Sequence, residues 1–180
     1  MRYALLVVFL LIGLSIGCRA ADGTFTKVSG AHFTGYVLPK DLADGWERTY
    51  TGPVQFDAGG AWAPSSSQAI DANKAARQFI ARAAKDPAQG YPGATGANLD
   101  WAKSHIQEID KNYAHYEIQF VGIQVAGKKE ILCNYFCPDK IIQLDPSRDF
   151  VALYDGGACF WHIEYVVGTK SCVNLLINGD

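Results

Sequence analysis

The sequence predicts an α+β fold: a single domain in which two helices pack on a curved antiparallel β-sheet. Three observations carry that expectation. Runs rich in Tyr, Phe, Val and Ile recur over residues 113–178, punctuated by the turn formers Ala126-Gly127-Lys128, Asp145-Pro146-Ser147, Asp155-Gly156-Gly157 and Gly168-Thr169. Ahead of them lie two stretches whose apolar residues repeat at helical spacing. With 180 residues, 49% apolar and 19% charged, the chain has the composition of one globular domain, and neither a repeat nor a linker divides it.

Residues 1–17 read as an address. Arg2 precedes an apolar run over residues 4–12 and then Gly13-Leu14-Ser15-Ile16-Gly17-Cys18, the layout of a secretory signal and too short for a retained membrane span. Leu14-Ser15-Ile16-Gly17-Cys18 resembles a bacterial lipobox, with Ser15 where that pattern prefers Leu. The resemblance implies cleavage before Cys18, acylation of its thiol and lipid anchoring in the bacterial cell envelope. Cleavage after Ala20 would instead leave a periplasmic or secreted chain.

Residues 18–65 form an aromatic-rich segment holding Phe25, Phe33, Tyr36, Trp46, Tyr50, Phe56 and Trp62. Short strands are expected over 33–38 and 47–56, limited by Pro39, Pro53 and the Asp57-Ala58-Gly59-Gly60 turn. These aromatics suit the edge of a core, and Trp46 and Trp62 are the candidates for an exposed contact surface.

Residues 66–180 supply the helix-helix-sheet core. Ser65, Ser66 and Ser67 offer capping hydroxyls to a helix whose Ala69, Ala72, Ala76, Phe79, Ile80 and Ala83 share one face, and Asp86-Pro87 stops it. The Gly- and Pro-bearing stretch 87–97 is expected to be a surface connection. A second helix should start at Asn98 as its cap and run to about Asn112, with Leu99, Ala102, Ile106, Ile109 and Tyr113 on one stripe.

Strand 116–125 changes phase: Tyr116, Ile118 and Phe120 alternate with polar residues, then Val121, Ile123 and Val125 do. Because side chains alternate faces, this predicts a bulge near Phe120 to Gly122 and a bent sheet. Further on, Cys159, Trp161, Ile163, Tyr165 and Val167 should face the core, with Phe160, His162, Glu164 and Val166 on the solvated side. Val173, Leu175 and Ile177 are expected to join the core after a three-residue loop at Gly168, Thr169 and Lys170.

The cysteine count is odd, at five. Setting Cys18 aside leaves Cys133, Cys137, Cys159 and Cys172, enough for two disulfides in an exported domain. Three pairings are open, of which we favour Cys137 with Cys159. The absence of close Cys-x-x-Cys pairs argues against zinc, and no metal or cofactor is expected. Neither is a nucleic-acid partner, given a net charge of -2 and no Lys/Arg run.

Catalytic motifs are sparse. His32, His105, His115 and His162 form no helical metal-protease pair, and the nucleophile-elbow, phosphate-loop and dinucleotide patterns are missing. His162 and Glu164 share a strand face, where they could hold a metal or polarise a water, although a solvated sheet surface also carries such residues. Cys159 and His162 point to opposite faces, which argues against a thiolate dyad. Asp155 is explained by its hairpin turn, with a catalytic acid as the sharper reading.

The succession Cys133-Asn134-Tyr135-Phe136-Cys137, Asp155-Gly156-Gly157-Ala158-Cys159-Phe160-Trp161 and Asn178-Gly179 resembles a set of uncharacterised exported bacterial proteins. The helix followed by a bent sheet is also similar to the cystatin-like architecture. Cystatins carry a Gln-x-Val-x-Gly hairpin that enters a protease cleft, and Gln124-Val125-Ala126-Gly127 is one residue short of it. The expectation is a non-enzymatic envelope lipoprotein, held to the membrane by its N-terminal lipid, that binds a protein, glycan or small molecule. The alternatives are a small hydrolase using His162, Glu164 or Asp155, and a cystatin-like protease inhibitor.

Overall fold

The structure, a computed structural model, describes residues 25–47, 56–153 and 155–179. The signal segment, Cys18 and most of the strand expected over 47–56 lie outside the described residues. The elements are β1 (Thr26–Gly30), β2 (Phe33–Val37), α1 (Lys40–Glu47), α2 (Ser66–Ala83), α3 (Ala97–Asn112), β3 (Glu117–Val125), β4 (Lys128–Phe136), β5 (Phe160–Val166) and β6 (Ser171–Ile177). All six strands join one open sheet in sequence order. The α+β expectation holds, but the sheet is mixed instead of wholly antiparallel, because β2 runs parallel to β3, Thr34 opposite Glu117 and Val37 opposite Phe120. Parallel neighbours need a long crossover, and the helical stretch between them supplies it.

α2 begins as its serines suggest. Ser65 Oγ accepts the Gln68 backbone N–H at 3.3 Å, and the Ser65 N–H donates to Gln68 Oε1 at 2.9 Å, closing a capping box. Its buried stripe is mostly alanine, Ala69, Ala72, Ala76 and Ala83 with Ile80, so the helix can lie close to the sheet. α3 starts one residue before the expected cap. Gly96, at φ 54 and ψ -135, turns the chain into the helix, so Asn98 already lies inside it. Ala102, Ile106 and Ile109 then join the α2 stripe against Ile118, Phe120, Ile131, Cys133, Tyr135, Trp161, Ile163 and Tyr165. Tyr135 and Trp161 stack with ring centroids 3.8 Å apart at the centre of this layer.

The other face of the sheet is also covered. Phe25, Leu38, Ala43 and Ala61 pack on Val121, Ile123 and Leu132, while Ile141 and Val151 pack on Phe136 and Phe160. Gln119 ties the second cover down: its Nε2 donates to the Pro146 and Asp149 carbonyls at 3.0 and 2.7 Å, and its Oε1 accepts the Val151 N–H at 2.9 Å. Covering both faces removes the need for the bulge expected at Phe120 to Gly122. The β3–β4 register runs unbroken from Glu117 opposite Phe136 to Val125 opposite Lys128. The phase change in β3 marks an apolar set on each face.

The irregularity lies in β6 instead. Tyr165 pairs with Cys172 and Trp161 with Ile177, with a register shift between His162 and Glu164. Asn174, at φ 53, absorbs the extra residue. Cys172, Leu175 and Ile177 therefore reach the helix-covered core, whereas Val173, expected there, is 37% exposed.

Trp62 extends the sheet edge where β2 leaves it. It makes an antiparallel bridge with Gly122, its N–H donating to the Gly122 carbonyl at 3.0 Å, and its indole Nε1 donates to the Ile123 carbonyl at 2.8 Å. The ring is half-buried, with Lys129 Nζ 5.0 Å from its centroid. Trp46 belongs to α1 by its backbone, and its side chain lies outside the described residues.

Candidate functional site

β5 places His162 and Glu164 on one face, as alternation requires, but that face is not solvated. His162 is 8% exposed and Glu164 is fully buried. Glu164 opposes Leu132 of β4 and Glu130 opposes Val166, so the two glutamates stand diagonally on the same face. Glu130 is 6% exposed.

Glu164 Oε2 accepts the Asn174 side-chain N–H at 2.7 Å, so the bulge in β6 delivers a donor to the carboxylate. Glu164 Oε1 and Glu130 Oε2 have no donor among the described residues, and neither glutamate has an ion pair there. A proton between the two carboxyls satisfies both. Burial pushes Glu164 up to about 7, the Asn174 hydrogen bond draws it partly back, and the negative Glu130 raises it further. Burial also raises Glu130, against the proton offered by Glu164 and the charge of Lys128. His162 is pushed down to about 4 by burial, which leaves a neutral imidazole at pH 7.

His162, Glu164 and Asn174 line a cavity of about 900 Å³ that runs along β6, with Leu175 and Leu176 beside them and Phe79, Tyr91 and Pro92 opposite. The stretch carrying Tyr91 is held in place: the Tyr91 hydroxyl accepts the Ile177 N–H at 2.9 Å, and its ring meets Trp101 edge-on at 6.2 Å. Chemically this is a largely apolar cleft with the Glu164 carboxyl, the Asn174 amide and the neutral His162 imidazole in its wall. Glu130 was missed by sequence reasoning. The Ala126-Gly127 turn fixes the β3–β4 register and puts Glu130 on the Leu132 face, but a Glu following Lys128-Lys129 at a hairpin reads as a solvated charge.

The other candidates lie elsewhere. Asp155 is exposed and forms a parallel backbone bridge with Gly179, away from the cavity lining. Cys137 and Cys159 are disulfide-bonded, with Cα atoms 5.1 Å apart, joining the end of β4 to the turn before β5. The second bridge open to Cys133 and Cys172 is not formed; both are buried free thiols. Burial pushes Cys172 up to about 12 and Cys133 well above the usual thiol value, so neither offers a thiolate near neutrality. Among the described residues, no three His, Cys, Asp or Glu side chains are placed to hold a metal ion, and no helix is long and apolar enough to cross a membrane. No protein-family model matches the chain, and neither a curated protein nor a solved structure gives a significant match.

Proposed function

We propose that the chain is an exported, non-enzymatic binding module of the bacterial cell envelope, lipid-anchored at Cys18, whose ligand site is the cavity along β6. The observation that carries this reading is Glu164, buried in the cavity wall with Glu130 standing diagonally behind it on the neighbouring strand. Two carboxyls held out of water without a cation cost stability that apolar residues of similar volume would retain. A small ligand with an apolar body and an amine or other hydrogen-bond-donating head would complete them, and the cavity is of the size such ligands occupy. The export signal, the lipobox-like Leu14 to Cys18 and the Cys137–Cys159 bridge all suit an envelope address.

Titration of the full-length chain, purified in neutral detergent, with a short alkylammonium probe tests the site. Saturable binding weakened at least about tenfold in Glu164→Gln supports it, and equal binding by both proteins removes it. Intact-mass analysis tests the anchor, since a wild-type chain lacking the diacylglycerol adduct that Cys18→Ala must lack would end the lipoprotein reading.

A small hydrolase is the second reading, favoured by one observation: Glu164 titrates near neutrality beside a neutral His162, the pairing an acid–base mechanism uses. Turnover of ester, peptide or glycan substrates that vanishes in His162→Ala would establish it over the binding reading. The protease-inhibitor reading rests on a cystatin-like likeness of shape. Against it, the Gln124–Gly127 turn is tethered, because Asp57 accepts the Ala126 and Gly127 N–H groups at 3.2 and 2.6 Å.

A further inference from the structure

We infer a second binding site, for a small organic anion with an apolar body, in the cleft between the β1–β2 hairpin and the α2/α3 pair. This cavity of about 790 Å³ is independent of the one along β6 and shares no lining residue with it. Its walls are apolar: Phe33 from the hairpin, Ile70 from α2 and the Tyr113 ring beyond α3. Ile70 is 42% exposed at this cleft, although Ala69, Ala72, Ala76 and Ala83 of the same helix are fully covered.

The charges around the cleft are predominantly positive. Lys74, Arg77 and Lys111 line it against the single carboxylate of Asp110, in a chain whose net charge is -2. Asp110 is already engaged by Arg77, which bonds its carboxylate and its carbonyl and lies 4.9 Å over the Tyr113 ring. Lys74 and Lys111 have no carboxylate partner among the described residues. They present two unneutralised ammonium groups at the mouth of an apolar pocket.

Asn73 is 8% exposed and lines the cleft. Its side-chain amide meets the hydroxyls of Tyr113 and Tyr135 at 2.9 Å each, and the two hydroxyls lie 2.7 Å apart, which fastens this part of the lining to the core. A carboxylate or sulfonate seated at the mouth would sit in the field of both lysines and leave its apolar portion against Phe33 and Ile70.

The test is calorimetric titration of the full-length protein in neutral detergent with 2-naphthoate, with 2-naphthylmethylammonium titrated into Glu164→Gln as the charge control, so that the cavity along β6 does not take up the cation. Expected results are saturable 2-naphthoate binding, at least about tenfold weaker in the double variant Lys74→Glu/Lys111→Glu and unchanged in Glu164→Gln, with weaker binding of the cation. Both lysines are exposed, so the double variant should fold, which retained wild-type circular dichroism would verify. Failure of 2-naphthoate to bind, equal binding by the charge-reversed protein, equal binding of the ammonium probe, or binding lost in Glu164→Gln would each overturn the proposal, the last by placing the ligand along β6.

Discussion

Glu130 and Glu164 stand diagonally across β4 and β5 on one buried face, and His162 stands two residues along the same strand as a neutral imidazole. Their linkages to pH oppose one another. Glu164 titrates near 7 in the fold against 4.5 ordinarily, so its contribution to stability is full below 4.5 and is lost as pH rises through 7. His162 titrates near 4 against 6.5, so its contribution is full above 6.5 and is lost as pH falls through 4. The two slopes offset each other between about pH 4.5 and 6.5, and above that window the Glu164 slope acts alone. Glu164→Gln removes it while keeping an N–H for Glu130. The variant should be more stable than wild type at pH 8 by about 1–3 kcal/mol, read from urea denaturation across the pH range; a loss of stability there would refute the shared-proton account.

Gly122 is glycine because Trp62 occupies the space of a side chain. A β-carbon there would lie 2.1 Å from the Trp62 carbonyl oxygen and 2.9 Å from its indole. Trp62 cannot yield without breaking its bonds to the Gly122 and Ile123 carbonyls. Gly122→Ala should therefore cost about 2–4 kcal/mol and shift the tryptophan emission. Denaturation and fluorescence together check this, and wild-type values for both would show that the Trp62 bridge is dispensable.

The Cys137–Cys159 bridge closes a span of 22 residues. Constraining a loop of that length in the unfolded chain contributes about 3 kcal/mol. The double variant Cys137→Ala/Cys159→Ala should lose about that much under oxidising conditions, and wild type should lose a similar amount on reduction. Native alkylation should leave Cys133 and Cys172 unmodified, since both thiols are buried.

What the chain revealed before folding was which residues share a face. The alternation Trp161, Ile163, Tyr165 was sufficient to set β5 correctly against α2 and α3, whereas Cys159, expected to share their face, lies in the turn before β5 and packs with Phe136 and Phe160 on the other side. It could not reveal whether the opposite face is covered, because the covering residues Phe25, Leu38 and Ala43 lie far away in sequence. Hence Glu164 and His162 read as solvated, and the apolar shift in β3 read as a bulge. The parallel pairing of β2 with β3 was hidden for the same reason, since strand propensity names no partner. The bulge in β6 had a signal, Asn174, the residue type apart from glycine that most readily adopts a positive φ.

That bulge makes the last prediction. Asn174 has two roles, a backbone at φ 53 and a side-chain N–H that holds the Glu164 carboxylate. Glycine accepts the backbone conformation and lacks the side chain, so Asn174→Gly separates the two. The Asn174 hydrogen bond favours the ionised carboxyl, and its loss should raise the Glu164 titration above its present value of about 7. Carboxyl carbon resonances followed by NMR across pH 5–9 report this directly. An unmoved titration would mean that β6 keeps asparagine for its backbone alone, and that the carboxyl pair is poised by burial and Glu130 without help from the edge strand.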